Sequence, residues 1–166
     1  LIAVVCTAVL VEAGRRIALA IGLVDRPTER KSHEGEIPLV GGVAIFLGLV
    51  VTLGFLRVLH VHWAFLIAGL LLVLVGIWDD LRGIRPLVRI FIQGACVLFV
   101  TLAGDAVLLD LGNILPGNEA ISLGWMAIPF TVFAGIGLIN AFNMSDGVDG
   151  VCGTLALVAL IGLGTI

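Results

Sequence analysis

Asp79 and Asp80 close an apolar run that extends from Val61 to Trp78. Two adjacent carboxylates at the end of a membrane-length segment are costly unless they meet water, a cation or a basic partner. They are followed at once by Leu81-Arg82-Gly83-Ile84-Arg85-Pro86, a short basic turn, and then the next apolar run begins. Arg85, Arg89 and Gln93 recur at spacings of four, which puts them on one face of a helix. A salt bridge at the helix end would account for one aspartate. For the second, a bound cation explains more, because it relieves the repulsion between like charges side by side.

Two other segments carry similar side chains. The first runs Asp25-Arg26-Pro27-Thr28-Glu29-Arg30-Lys31-Ser32-His33-Glu34-Gly35-Glu36-Ile37-Pro38-Leu39-Val40-Gly41-Gly42. It reads either as an ordinary basic loop or as a phosphate-recognition segment built on Arg30, Lys31 and His33. In the second case Gly41-Gly42 lets backbone or substrate approach closely at the start of the following helix. The other segment, Asn140-Ala-Phe-Asn-Met-Ser-Asp-Gly-Val-Asp-Gly150, holds Asn140 and Asn143, then Asp146 and Asp149, each pair three apart. These fall on one face if the segment is helical, whereas Gly147 and Gly150 suggest a break. As a plain turn it would be unusually rich in side chains that bind metals and nucleotides.

The elements that must position these groups are membrane helices. Apolar residues make up 60% and charged residues 13% of the 166, with a mean hydropathy of +1.23, whereas soluble domains are about 25% charged. The composition predicts an all-α polytopic membrane protein with about six transmembrane helices. The spans are expected at Leu1 to about Gly14, Leu39–Leu56, Val61–Trp78, Pro86–Ala103, Gly124–Phe142 and from Gly150 onward. The first and last fall short of the ~20 residues a span needs, so the chain is expected to be a fragment truncated at both ends, a partial membrane-embedded domain over 1–166. Arg15 to Val24 is expected to extend the first helix into the interface, with its arginines near lipid head groups.

Of the nine basic residues, Arg15, Arg16, Arg26, Arg30, Lys31, Arg82, Arg85 and Arg89 fall on one side of these spans and only Arg57 on the other. By the positive-inside rule the three polar segments are then cytoplasmic. Spans two, four and six start on that side, so the positive ends of their dipoles face the same segments. Basic side chains with carboxylates make such a face suited to phosphates bridged by a divalent cation, since Mg²⁺ is commonly held by one or two carboxylates plus substrate phosphates. On the opposite side, Val107–Gly112 and Ala120–Leu123 could pair as a short β-hairpin around Pro116-Gly117-Asn118.

Other polar or reactive residues read as structural. Cys6, Cys96 and Cys152 lie in or beside apolar runs without metal-ligand spacing. His60 and His62 form an alternating pair, too few ligands for zinc. Trp63, Trp78 and Trp125 sit at span ends as interfacial anchors. No basic stretch precedes the first apolar run and no small-residue site follows it, so no cleavable signal peptide is read.

Together the three polar blocks resemble the polyprenyl-phosphate N-acetylhexosamine-1-phosphate transferases of glycosyltransferase family 4. D-x-P-x-x-R-K-x-H-x-x-x-I-P-x-x-G-G is matched from Asp25 to Gly42, the D-D pair with R-x-x-x-Q by Asp79, Asp80, Arg89 and Gln93, and N-A-F-N-x-x-D-G-x-D-G from Asn140 to Gly150. The Arg-Lys-x-His element is closer to the undecaprenyl-phosphate GlcNAc-1-phosphate branch than to the phospho-MurNAc-pentapeptide branch, which stays as the alternative.

What the resemblance implies is transfer of a sugar 1-phosphate from a UDP-sugar to undecaprenyl phosphate. UMP is released, and a lipid-linked sugar forms that initiates O-antigen or other cell-surface polysaccharide synthesis. It implies Mg²⁺ or Mn²⁺, a bacterial cytoplasmic membrane location with the site facing the cytoplasm, and no nucleic-acid partner; a homodimer is compatible with it. By resemblance Asp79 and Asp80 are catalytic and, with Asp146, metal-binding. Asp25, Arg30, Lys31, His33, Arg85, Arg89, Asn140, Asn143 and Asp149 contact phosphates or substrate. Family members carry further loops with another metal-binding aspartate beyond this sequence, so the 166 residues alone are expected to be inactive. An ion-coupled transporter is the rival class, but it calls for ionisable groups near the bilayer midplane, and the span centres read here lack charge.

The charge asymmetry predicts that cysteines introduced at Thr28, Gly83 and Ser145 react with a membrane-impermeant thiol reagent only from the cytoplasm, and one at Asn118 only from outside. Labelling of Gly83 and Asn118 from the same side would defeat this topology.

Overall fold

The computed structural model describes residues 2–21, 24–25, 37–38, 40–113, 120–145 and 150–164. They contain six α-helices: α1 Ile2–Ile21, α2 Gly41–Phe55, α3 Trp63–Arg82, α4 Pro86–Ala103, α5 Ala127–Ser145 and α6 Val151–Leu163. A short 3₁₀ turn, Gly124–Met126, leads into α5. Three helical segments are long and apolar enough to cross a bilayer, namely Trp63–Arg82, Pro86–Ala103 and Gly124–Ser145; α2 and α6 are apolar but shorter. The described residues divide into two compact units, Leu1–Ala106 and Val107–Ile166.

In the first unit α1, α2, α3 and α4 pack as successive antiparallel neighbours. The residues at their contacts are small. Ala18, Ala44, Ala64, Ala68 and Cys96 are the buried apolar residues among those described in this unit, while most Leu, Ile, Val and Phe side chains face outward. This is the pattern of helices in lipid: hydrocarbon is as apolar as leucine, so association depends on backbones coming close across small residues. Ala44 and Gly48, and Ala64 and Ala68, repeat the small residue after one turn. A Cβ on Gly48 would collide with the Thr7 hydroxyl of α1, and one on Gly69 would lie 3.1 Å from the Phe46 ring of α2. Near the far end of α3 and α4, Trp63 meets Phe99 edge-on, with centroids 5.8 Å apart and planes at 82°. A Cβ on Gly104 would lie 3.3 Å from Ala64.

Several boundaries differ from expectation. The first helix continues past Gly14, as the expected extension from Arg15 requires, and carries Glu12, Arg15 and Arg16 within it, but it ends at Ile21, and Val24 belongs to a strand instead. Gly14 lies against Val40, the residue just before α2. The basic turn is therefore level with the start of α2, and the rest of α1 extends past it, as a head-group extension requires. Glu12 and Arg16 form an exposed pair one turn apart at 3.5 Å. The third helix begins at Trp63 and runs on through Asp79 and Asp80 to Arg82. Charge alone does not end a helix; Gly83, at φ +70°, does. The fourth span occupies the predicted residues, from Pro86 at its first position. The fifth continues past Phe142 to Ser145, its Ser145 hydroxyl donating to the Ala141 carbonyl.

A two-residue antiparallel pairing, β1 (Val24–Asp25) with β2 (Ile37–Pro38), was not expected; it sets Asp25 beside Ile37 and joins the two flanks of the first polar block. In the second unit, the expected hairpin exists as a bridge between Asp110 and Ser122, flanked by hydrogen bonds from Leu111 to Ile121 and from Leu123 to Leu109. Its turn residues Pro116, Gly117 and Asn118 lie outside the described residues. Thr131 anchors this segment to α5: its hydroxyl accepts the Leu108 N–H at 3.0 Å and donates to the Ala127 carbonyl.

Close packing at Gly48 predicts that Gly48→Ala lowers stability by about 1–3 kcal/mol, because the Thr7 side chain and its helix must give way. Gly76, where an added Cβ meets nothing, should tolerate alanine with equal or slightly greater stability. Thermal melting in detergent reads both.

Candidate active site

Asp79 lies in the last turn of α3, where the final carbonyls of a helix lack intrahelical partners and the dipole is negative. A carboxylate here needs donors, and the next residues bring them back to it. Gly83 turns the chain with φ +70° and ψ 126°, a conformation that side chains with a Cβ rarely adopt and glycine reaches more readily. Its own N–H still bonds the Asp79 carbonyl at 2.8 Å. The Ile84 N–H then donates to Asp79 Oδ1 at 2.7 Å. One turn into α4, Arg89 donates through Nη1 to Asp79 Oδ2 at 2.6 Å. Both carboxylate oxygens therefore hold the corner between α3 and α4, and the pair is about three-quarters shielded from solvent. The salt bridge that the sequence allowed for one aspartate is made by Asp79.

Asp80 is the next residue on the same helix, about 100° further around its axis. It cannot face α4 as Asp79 does, and its side chain is exposed. Arg82 and Arg85 are also exposed at this corner, while Arg89 is half-buried and Gln93 buried. Of the stripe Arg85, Arg89 and Gln93, only the first presents itself fully to solvent; from Arg89 inward the stripe turns into the protein. The Nε of Arg89 is shielded and has no hydrogen-bond partner among the described residues.

In the second unit, the last two turns of α5 carry Asn140, half-buried with its amide donating to the Ile136 carbonyl at 2.9 Å, and Asn143, which is exposed. Helix α6 starts after Gly150, whose carbonyl accepts from the Thr154 hydroxyl. Asp146 and Asp149 lie outside the described residues, as do Arg30, Lys31 and His33; of Asp25 only the strand pairing is described. Among the described residues no three His, Cys, Asp or Glu side chains group to hold a metal ion. They do supply two adjacent carboxylates, oxygen donors of the kind a hard cation such as Mg²⁺ takes in ones and twos alongside substrate phosphates.

The aspartate pair, the turn after it and a salt bridge to one aspartate are legible in the sequence; the Ile84 N–H that also holds Asp79, and the role of Gly83 as the residue that stops the helix, are not among those readings. The signal was available: a glycine two residues after the last apolar position of a helix, with a proline three further on, marks a helix stop and restart.

Comparison with known proteins gives these observations a context. The family model for glycosyl transferase family 4 matches residues 62–166. The undecaprenyl-phosphate alpha-N-acetylglucosaminyl 1-phosphate transferase of Escherichia coli (strain K12) is 38% identical over 153 residues, which cover 92% of this chain and 41% of that protein. The protein of that name from Yersinia pestis is 39% identical over 154 residues, 90% and 41% of the two chains. The probable undecaprenyl-phosphate N-acetylglucosaminyl 1-phosphate transferase of Bacillus subtilis (strain 168) is 33% identical over 148 residues, 88% and 41%. The chain thus spans about two fifths of the length of the curated relatives it matches. No solved structure matches it.

The geometry predicts that Gly83→Ala, which forces a side chain into a sparsely populated backbone conformation at φ +70° and ψ 126°, lowers the stability of the protein by about 1–3 kcal/mol. Equal melting temperatures for wild type and Gly83→Ala would show that the corner does not need this turn.

Proposed function

This chain belongs to glycosyl transferase family 4, and from that membership we propose that the protein containing it transfers a sugar 1-phosphate from a UDP-sugar to undecaprenyl phosphate. The observation that carries the reading is the α3–α4 corner, where two carboxylates and the exposed Arg82 and Arg85 meet at the end of a membrane-length helix. In this reaction an oxygen of the lipid phosphate attacks the β-phosphorus of the UDP-sugar. A new P–O bond forms, the bond to the bridging oxygen breaks, and UMP leaves with the electron pair. Nucleophile and electrophile are both anionic, so the main task is to neutralise charge and align the reactants.

Asp79 and Asp80 are the carboxylates of the site. With Asp146 they would hold Mg²⁺ or Mn²⁺, which when bound supplies neutralisation of the pyrophosphate charge. Arg85, Arg30, Lys31 and His33 contact phosphate oxygens, and Asp25, Asn140, Asn143 and Asp149 shape the nucleotide and substrate site. The sugar is N-acetylglucosamine, supported by the names of the relatives, and the product begins a cell-surface polysaccharide. The protein lies in the bacterial cytoplasmic membrane with its site facing the cytoplasm, a reading supported by the one-sided distribution of its basic residues.

The test is UMP release by the full-length protein supplied with UDP-GlcNAc, undecaprenyl phosphate and Mg²⁺. Asp80→Asn is expected to lower turnover at least about a hundredfold, a loss of roughly 2.7 kcal/mol of electrostatic stabilisation, with membrane insertion unchanged. His60→Ala, on the α2–α3 turn, should leave the rate as it is. Near-wild-type release by Asp80→Asn would count decisively against the assignment.

A further inference from the structure

We infer that Arg89 is a positioning residue that acts through Asp79, and that the two aspartates divide the work. This narrows the carboxylate set proposed above: Asp79 fixes the corner between α3 and α4 and is not itself a primary ligand, whereas Asp80 presents its carboxylate to cation and substrate. The inference rests on the proposed transfer reaction and concerns which side chains reach the reactants.

Three independent features lead to it. Both oxygens of Asp79 already accept hydrogen bonds, from the Ile84 N–H at 2.7 Å and from Arg89 Nη1 at 2.6 Å. Using Asp79 as a primary ligand or base would mean sharing or breaking contacts that close the turn. Next, adjacent residues on a helix diverge by about 100°, so the contact of Asp79 with α4 directs Asp80 away from that helix. Asp79 thereby sets where the Asp80 carboxylate sits. Finally, Arg89 is poorly placed to clamp a phosphate. Its Nε is shielded from solvent, so an incoming phosphate cannot engage the Nε–Nη edge of the guanidinium in the paired geometry arginine offers to oxyanions. Arg82 and Arg85, exposed at the same corner, have no such obstruction.

The pair spans ten residues and crosses the turn from one membrane helix to the next. Removing the guanidinium leaves a largely shielded carboxylate without its charge partner, and that carboxylate then turns toward water or toward the cation. Either motion carries the end of α3 with it. A displacement of about 1 Å at a reacting group can cost on the order of a hundredfold in rate.

The experiment measures kcat and KM for UDP-GlcNAc and for undecaprenyl phosphate in the full-length protein. The variants are Arg89→Gln, Arg89→Lys, Asp79→Asn, Asp80→Asn and the doubles Asp79→Asn/Arg89→Gln and Asp80→Asn/Arg89→Gln, with Arg85→Gln for comparison. Size-exclusion profiles and melting curves in detergent accompany each. Arg89→Gln should lower kcat by about tenfold to a hundredfold with both KM values within about twofold. Arg89→Lys, which keeps the charge, should recover part of the rate. The Asp79→Asn/Arg89→Gln double should be no slower than Asp79→Asn alone, because both changes break the same link. In the Asp80→Asn/Arg89→Gln double the further loss from Arg89→Gln should be much smaller than in wild type, because the carboxylate that Arg89 positions through Asp79 is already gone. Arg85→Gln should instead raise a KM. A rise in KM with unchanged kcat for Arg89→Gln would overturn the inference, as would losses at Asp79 and Arg89 that multiply. Wild-type protein that releases no UMP would overturn the transfer reading itself, and is told apart because it precedes any comparison of variants.

Discussion

The carboxylate of Asp79 meets two needs at one point of the chain. A helix ending near a membrane surface leaves carbonyls unpaired and concentrates negative charge, and an aspartate there adds to that charge. The chain answers by turning at Gly83, so that the Ile84 N–H and the Arg89 guanidinium both reach the same side chain. A hydrogen bond to a charged group contributes roughly 1.5–3 kcal/mol net, enough to make one geometry of the corner dominate. The direction in which α4 leaves α3, and the direction in which Asp80 points, both follow from this contact.

Away from the corner, the scaffold is held by close approach and not by burial of large side chains. Alanine, glycine and a threonine hydroxyl fill the contacts between α1 and α2, and a Trp–Phe edge contact closes α3 against α4 near the end opposite to Asp79. In water a protein whose leucines and isoleucines mostly face outward would aggregate; in lipid the same surface is solvated. For an enzyme whose proposed acceptor is a lipid phosphate, that arrangement has a use, since the apolar tail can remain in the bilayer while its charged end meets the basic and acidic groups at the helix termini.

How much was legible varied with the kind of signal. The bounds of α4 were readable because Pro86 and Gly104 mark both ends with backbone chemistry. The end of α3 lies beyond the first charged residue, at Arg82, because aspartate and arginine continue a helix until a residue with positive φ ends it. The same applies to α5, whose polar last turns remain helical while Asn140 and Ser145 bond back to carbonyls of the preceding turn. The β1–β2 pairing could not be seen at all: two residues a side leave no periodicity, and their pairing is a long-range event. The basic residues of the first polar block and the aspartates of the third remain assignments by motif.

Membrane class, the number of helices and the three polar blocks belong to the sequence by itself, because hydropathy and motif spacing are sums and distances along the chain and need no partner to exist. Family membership follows from the same one-dimensional information. What only the tertiary structure decided is which member of each charged set closes the α3–α4 corner. Asp79 and Asp80 are equivalent as letters, as are Arg85 and Arg89, yet one of each is turned into the α3–α4 corner and the other outward. The reason is rotational: each residue advances about 100° around its helix, so a partner is chosen by where the helix ends and how the next one is set against it. Those two facts depend on the φ of Gly83 and on contacts across the turn, not on composition.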